Sequence, residues 1–344
     1  MAYTTIDNPF KNFNTKLYTG NGSTQSITGV GFQPDWTWIK ERNGSSGHVL
    51  IDSVRGVDKV IRSNQNGAES TDADCITSFD SDGYSLGADV KVNESSSYNY
   101  VGWSWLAGDS ASSNSNGSIT SSVSANTTAG FSIVSYTGTG SNATVGHGLG
   151  VAPSFVIVKD RGNAISWVVS GDNIGWNKNV YLDSTQAVQT ANHFQDTAPT
   201  SSLMYLATDV AVNGSSRNYI MYCFAEKKGY SKFGQYTGNG NADGAFAYTG
   251  FKPAFIIFKR SDAAENWALM DNKLRPSNGV DNYYIYPDLA NAQDTTSDFD
   301  MLSNGFKTRT ASNFINGSGA TYIYMAFAEN PFVTSGTKAA GTAR

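Results

Sequence analysis

Glu226 and Glu329, each closing a Phe-Ala-Glu tripeptide, are the first residues whose type and recurrence could do chemistry. Two carboxylates flanking a glycosidic bond can cleave it, one donating a proton while the other attacks or activates water. The corresponding tripeptide earlier in the chain ends in Ala107, so the acid is not kept in every copy. Asp72, Asp74, Asp80 and Asp82 open like a calcium loop, where alternate carboxylates supply oxygen ligands, but no glutamate closes the loop. Asp82 aligns with Asn304 and Asp80 with Leu302, which favours a turn, with a weak cation site as the alternative. His48, His147 and His193 are too scattered for a zinc site, and Cys75 and Cys223 read as free thiols. The pentapeptides from Tyr18, Tyr136 and Tyr236, all Tyr-Thr-Gly-x-Gly, imitate a phosphate-binding loop. A phosphate loop needs a following helix and, in one type, a Lys-Ser/Thr pair; neither follows here. We therefore expect no enzyme and assign no catalytic, cofactor-binding or metal-ligating residue. Ligand-binding residues stay unassigned. Trp103, Trp105, Trp176 and Tyr283 are the aromatic candidates for stacking on a sugar, and Trp176, in DNIGWNKN, has the best claim to exposure.

The elements that carry these residues recur. Tyr18 precedes Pro34 by sixteen residues, and Tyr136 and Tyr236 precede Pro153 and Pro253 by seventeen. Each proline opens an apolar run ending six positions on in Lys40, Lys159 or Lys259, and eight residues later a second run opens with His48, Trp167 or Trp267. Tyr100, Tyr219 and Tyr322 mark a third shared landmark, and Asp82-Gly83 and Asn304-Gly305 signal hairpin turns. The reading is an all-β protein of three tandem, related, jelly-roll-like β-sandwich units, each near the roughly 100 residues such a unit takes. Residues 17–107, 119–228 and 229–332 form the units, with a short N-terminal segment 1–16, a Ser/Gly/Asn-rich linker 108–118 and a polar tail 333–344. Both faces of PSFVIVK and PAFIIFK are apolar, as in a strand covered on each side. The terminal lysines are expected where these strands reach water. A turn or two of helix could form from Ser184.

Composition agrees. Charged residues make up 15%, against about 25% in a typical globular protein, while aromatics reach 12%. A net charge of −5 without a basic cluster argues against a nucleic-acid partner. No stretch is apolar enough for membrane insertion, and MAYTTIDNPFKNF lacks the apolar core of a signal peptide, so a soluble product made in the cytosol is expected.

The motifs YTGNG, GFxPxWxxIKxR, SVSANTTAGFSIVSYTGTG, VGHGLGVAPSFVIVK and YxxMAFAENPF, in that set, resemble an uncharacterised repeat domain of virion proteins from tailed bacteriophages, often marine ones. The resemblance covers nearly the whole chain, and TTIDNPFKNF resembles the short leader of such proteins, which implies that 1–16 is an N-terminal docking segment for another virion component. It implies a non-enzymatic structural component of the virion, a compact tail appendage or head decoration, with other virion proteins as partners. A homo-oligomer, with a trimer as one form, and a pseudo-threefold body within one chain are both compatible with it. It brings no catalytic residues. The alternative is a receptor-binding adhesin for host-surface glycans, and a polysaccharide-degrading enzyme ranks behind both.

Overall fold

The structure, a computed structural model, describes residues 3–108, 110–274, 278, 282–296, 298–335 and 340. Strands dominate, and the described helical turns are Pro9–Lys11, Val90–Asn93 and Val210–Asn213. Three antiparallel arrangements share one strand order. In the first, Phe13–Thr19, Asn99–Trp105, Trp36–Glu41 and Val49–Asp52 lie side by side. The second runs Phe131–Thr137, Asn218–Phe224, Phe155–Asp160 and Val168–Gly171; the third runs Ser231–Thr237, Thr321–Pro331, Phe251–Arg260 and Trp267–Asp271. Register is shared as well. Tyr18 faces Tyr100, Tyr136 faces Tyr219 and Tyr236 faces Tyr322 across the first strand pair, and Trp36, Phe155 and Phe255 face Asp52, Gly171 and Asp271 across the last.

Side chains alternate across a strand, so each of these sheets offers two apolar faces. Trp36, Trp38, Phe155, Ile157, Phe255 and Ile257 all point into one central core shared by the three sheets, joined there by Trp103, Trp105, Phe131, Phe224 and Phe327. Trp36 stacks on Tyr222 at 4.5 Å and on Trp105 at 4.4 Å between ring centroids, and Phe13 meets Phe327 at 5.2 Å. The opposite faces pack against smaller outer sheets. Ile39 and Ile51 meet Tyr84 and Leu86; Val156 and Val158 meet Met204 and Leu206; Ile256 and Phe258 meet Met301 and Phe306. The inner sheets are therefore middle layers, which is why their central strands alternate between two kinds of apolar residue rather than between apolar and polar.

Several expectations need correction. Of the expected segment 1–16, the described residues 3–16 are not separate: Ile6 and Phe13 belong to the central core, and the boundary after residue 16 cuts the strand Phe13–Thr19. Tyr3 donates to the Gly250 carbonyl, and Thr4 bonds Ser335, so the described N-terminal residues lie on the third part of the chain. The expected linker 108–118 contains the strand Ser112–Asn114, paired with Ser121–Asn126, because its Ser and Asn side chains can remain in water while the backbone pairs. From Ser184 no helix forms, and Gln189–Thr190 is instead an edge strand of the second sheet. Most of the tail 333–344 lies outside the described residues. The largest correction concerns Lys40, Lys159 and Lys259, which do not reach water and are fully buried.

Candidate functional site

The three Tyr-Thr-Gly-x-Gly loops share one geometry. Asn93, Asn213 and Asn316, all fully buried, accept from the backbone N–H of Asn21, Thr139 and Asn239 at 2.8–2.9 Å. The same carboxamides donate to loop carbonyls, Asn213 to Ser141 at 2.6 Å and to Ala207 at 2.8 Å, Asn316 to Asn241 at 2.8 Å and to Thr310 at 2.6 Å, and Asn93 to Ser23 and Gly87. The glycine N–H groups are also taken: Gly22 by the Asn93 and Glu94 carbonyls, Gly140 by Asn213 and Gly240 by Asn316. A phosphate-binding nest requires free, converging N–H groups, so this loop has none to offer at these positions. The first glycine admits no side chain, since a β-carbon at Gly20, Gly138 or Gly238 would run into the carbonyl oxygen of Glu94, Gly214 or Gly317. The second sits at φ 67°, 73° and 64°, the left-handed region that favours glycine. Each loop's tyrosine closes the clamp, Tyr18 donating to Val92, Tyr136 to Val212 and Tyr236 to Ile315 at 2.7–2.8 Å while stacking on its cross-strand tyrosine.

The candidate carboxylates are engaged separately. Glu226 pairs with Lys232 at 2.8 Å, whereas Glu329 accepts from Asn272 at 2.6 Å. Asp82 caps the turn N–H groups of Gly29 and Gly31, and Asp80 accepts from the Ser78 and Ser85 hydroxyls. Asp72 lies with Cys75 and Asp89 in a group of possible ligands, but the Lys91 ammonium already bridges the two acids at 3.3 and 2.6 Å. Cys75 and Cys223 are both free and buried, and burial raises their thiol pKa values. His147 is buried too, accepting from the Leu149 N–H, and burial lowers its pKa.

The aromatic candidates are structural. Trp103 and Trp105 sit in the central core, and Tyr283 packs against its edge. Trp176 is buried rather than exposed: its ring meets Phe194 edge-on at 5.8 Å, and its Nε1 donates to Asp172 at 3.0 Å. The Asn and Asp around it hid this, since polar neighbours in sequence were the rim of a turn that folds the indole inward.

The geometry that recurs is a cyclic seam between the sheets. The Nε1 of Trp167 donates to the Arg62 carbonyl at 2.9 Å, that of Trp267 to the Tyr181 carbonyl at 2.8 Å, and His48 Nε2 lies 2.9 Å from the Tyr286 carbonyl. Each ring thus reaches one neighbour in the same sense, second to first, third to second, and, through His48, first to third, which closes the cycle. His48 Nδ1 accepts from Trp38 Nε1 at 2.7 Å, so Nε2 carries the hydrogen, and burial lowers this histidine to about 3. The backbone N–H of the same three residues is held by Asn64, Asp183 and Asp288. Nearby, the buried ammonium groups of Lys40, Lys159 and Lys259 donate to carbonyls, Lys259 to Thr185 at 3.0 Å and Arg260 at 3.1 Å. Burial pushes all three lysines down to about 8.

Acids add further ties. Asp52 accepts from Tyr222 at 2.7 Å and pairs with Arg55 at 2.5 Å, while Glu69 takes Arg55 at 3.1 Å and Arg161 at 2.9 Å. Asp271 accepts from Thr15 at 2.7 Å and Trp103 at 3.1 Å. Gly171, at the same register position, needs no donor across the seam. The sequence motifs VLID and WALMD carried these two acids, but nothing in one strand's pattern reveals which ring it meets on another sheet.

A family model described as a domain of unknown function (DUF7483) matches residues 8–331. No curated protein and no solved structure matches the chain.

Proposed function

The chain belongs to the DUF7483 domain family, and on that premise we propose that it is a non-enzymatic structural component of a bacteriophage virion, either a compact tail appendage or a head decoration. The observation that carries this reading is the cyclic seam: the recurrent rings, amides and buried lysines are spent on bracing three sheets around one core, rather than on a set of groups converging on a substrate. A body of that kind suits a part that must hold its shape under load. The phage assignment itself draws on the motif resemblance, and other virion proteins are the partners it implies. Quantitative mass spectrometry of gradient-purified particles tests it. A fixed copy number per particle supports the reading, and absence from purified particles overturns it.

A further inference from the structure

One position differs among otherwise matching outer turns. The capping residues Asp89, Asp209 and Ser312 accept from the backbone N–H two residues on, belonging to Lys91, Ala211 and Phe314. In the first turn, Lys91 folds back onto Asp89 and Asp72 over the buried Cys75. In the third, the Phe314 ring packs against Tyr284 and Tyr286 at 5.7 and 5.9 Å. Ala211 carries only a methyl, packed into the second outer core, and there a groove of about 490 Å³ opens, within the size range of small-ligand sites.

His193 lines this groove at the place Cys75 holds in the first turn, since Gly87 N–H donates to the Cys75 carbonyl and Ala207 N–H to that of His193. The imidazole is only 3% exposed. Its Nε2 makes no hydrogen bond, and its Nδ1 lies 3.5 Å from Asp209 Oδ1. Both imidazole nitrogens are enclosed beneath the groove, so it is the Asp209 carboxylate, 44% exposed, that faces it. An ionised carboxylate presents acceptors only. Gln189 and Asn66 supply amides, and Tyr181 supplies a ring. An anion would meet the Asp209 carboxylate unfavourably. A neutral ligand with several hydroxyl donors and a flat C–H face matches the set.

We propose that this groove binds a saccharide, its hydroxyls donating to the Asp209 carboxylate while Tyr181 packs against the sugar ring. The test is saturation-transfer NMR on the full chain with glucose, galactose, mannose and N-acetylglucosamine, together with an array of immobilised oligosaccharides. Ala211→Lys copies the first turn and refills the groove, and Asp209→Asn keeps the capping oxygen while removing the charge. The proposal expects transfer to at least one sugar or binding on the array, weakened about tenfold or more by each substitution at unchanged thermal stability. No response from any sugar in either format overturns it, as does binding that neither substitution weakens. Failure here leaves the virion reading standing, because that reading is measured on particles.

Discussion

The indole nitrogen of Trp267 donates to the Tyr181 carbonyl oxygen at 2.8 Å, across the boundary between the second and third sheets. Trp267→Phe keeps a ring in the core but removes the donor and leaves that carbonyl short of a partner. The loss should be about 1–3 kcal/mol, read as a lower urea midpoint at unchanged slope. Because the seam is cyclic, fluorescence and far-ultraviolet circular dichroism should report one coincident transition in both proteins. Separate transitions would mean that the sheets unfold independently.

Asp288 holds the Trp267 N–H at 3.1 Å, yet its Oδ2 is buried without a partner, and burial raises its carboxyl to about 7. Asn64 occupies the matching place beside His48. Asp288→Asn should therefore stabilise the protein by about 2 kcal/mol at pH 8. The folded carboxyl holds its proton up to about 7 while the unfolded one releases it near its ordinary 3.8, so the wild type loses stability as pH rises between those values. The gain from the substitution should shrink towards pH 4. An equal gain at both pH values would contradict this origin.

The buried lysines should contribute stability that grows with pH over a limited window. Lys40, Lys159 and Lys259 release a proton near 8 in the folded chain and near 10.5 when unfolded, so between these values the unfolded state binds more protons. The lysine contribution then rises with pH by up to about 1.4 kcal/mol per unit for each lysine. Urea midpoints of the wild type and Lys259→Met compared at pH 8, 9 and 10 isolate this from the buried thiols and tyrosines, whose raised pKa values act in the opposite sense, and a difference that stays constant with pH would show that the lysine keeps its charge. His48 acts at the other end. Its folded pKa of about 3 lies below the ordinary 6.5, so stability is lost as pH falls from 6.5 towards 3.

Asn213→Ala should cost about 2–4 kcal/mol, since it strips the Thr139 N–H and the Ser141 and Ala207 carbonyls of their shared partner in a buried site. Thermal melts of this variant against Ser215→Ala, an exposed loop change, separate the clamp from ordinary loop sensitivity. Equal melting temperatures would remove the clamp from the account.

The all-β class was legible because Gly and Asn turns punctuate apolar runs at a strand's period, and the both-faces-apolar runs PSFVIVK and PAFIIFK correctly signalled strands covered on each side. The lysines ending those runs misled. A lysine at a strand end ordinarily marks solvent, and only the neighbouring sheet's carbonyls, such as that of Thr185 beneath Lys259, make burial affordable there. Trp176 misled for the converse reason, its polar sequence neighbours being turn residues. The groove at His193 was legible only in part: the histidine was noted, but the Lys91, Ala211 and Phe314 alignment depends on caps that sequence spacing did not bring into register.

The structural role is tested most directly by electron cryomicroscopy of intact particles labelled with an antibody fragment against this chain. The account predicts label at one defined, repeated position on the particle, with density there that fits the three-sheet body. Particles that carry no label, while the same fragment binds the purified chain, would contradict it.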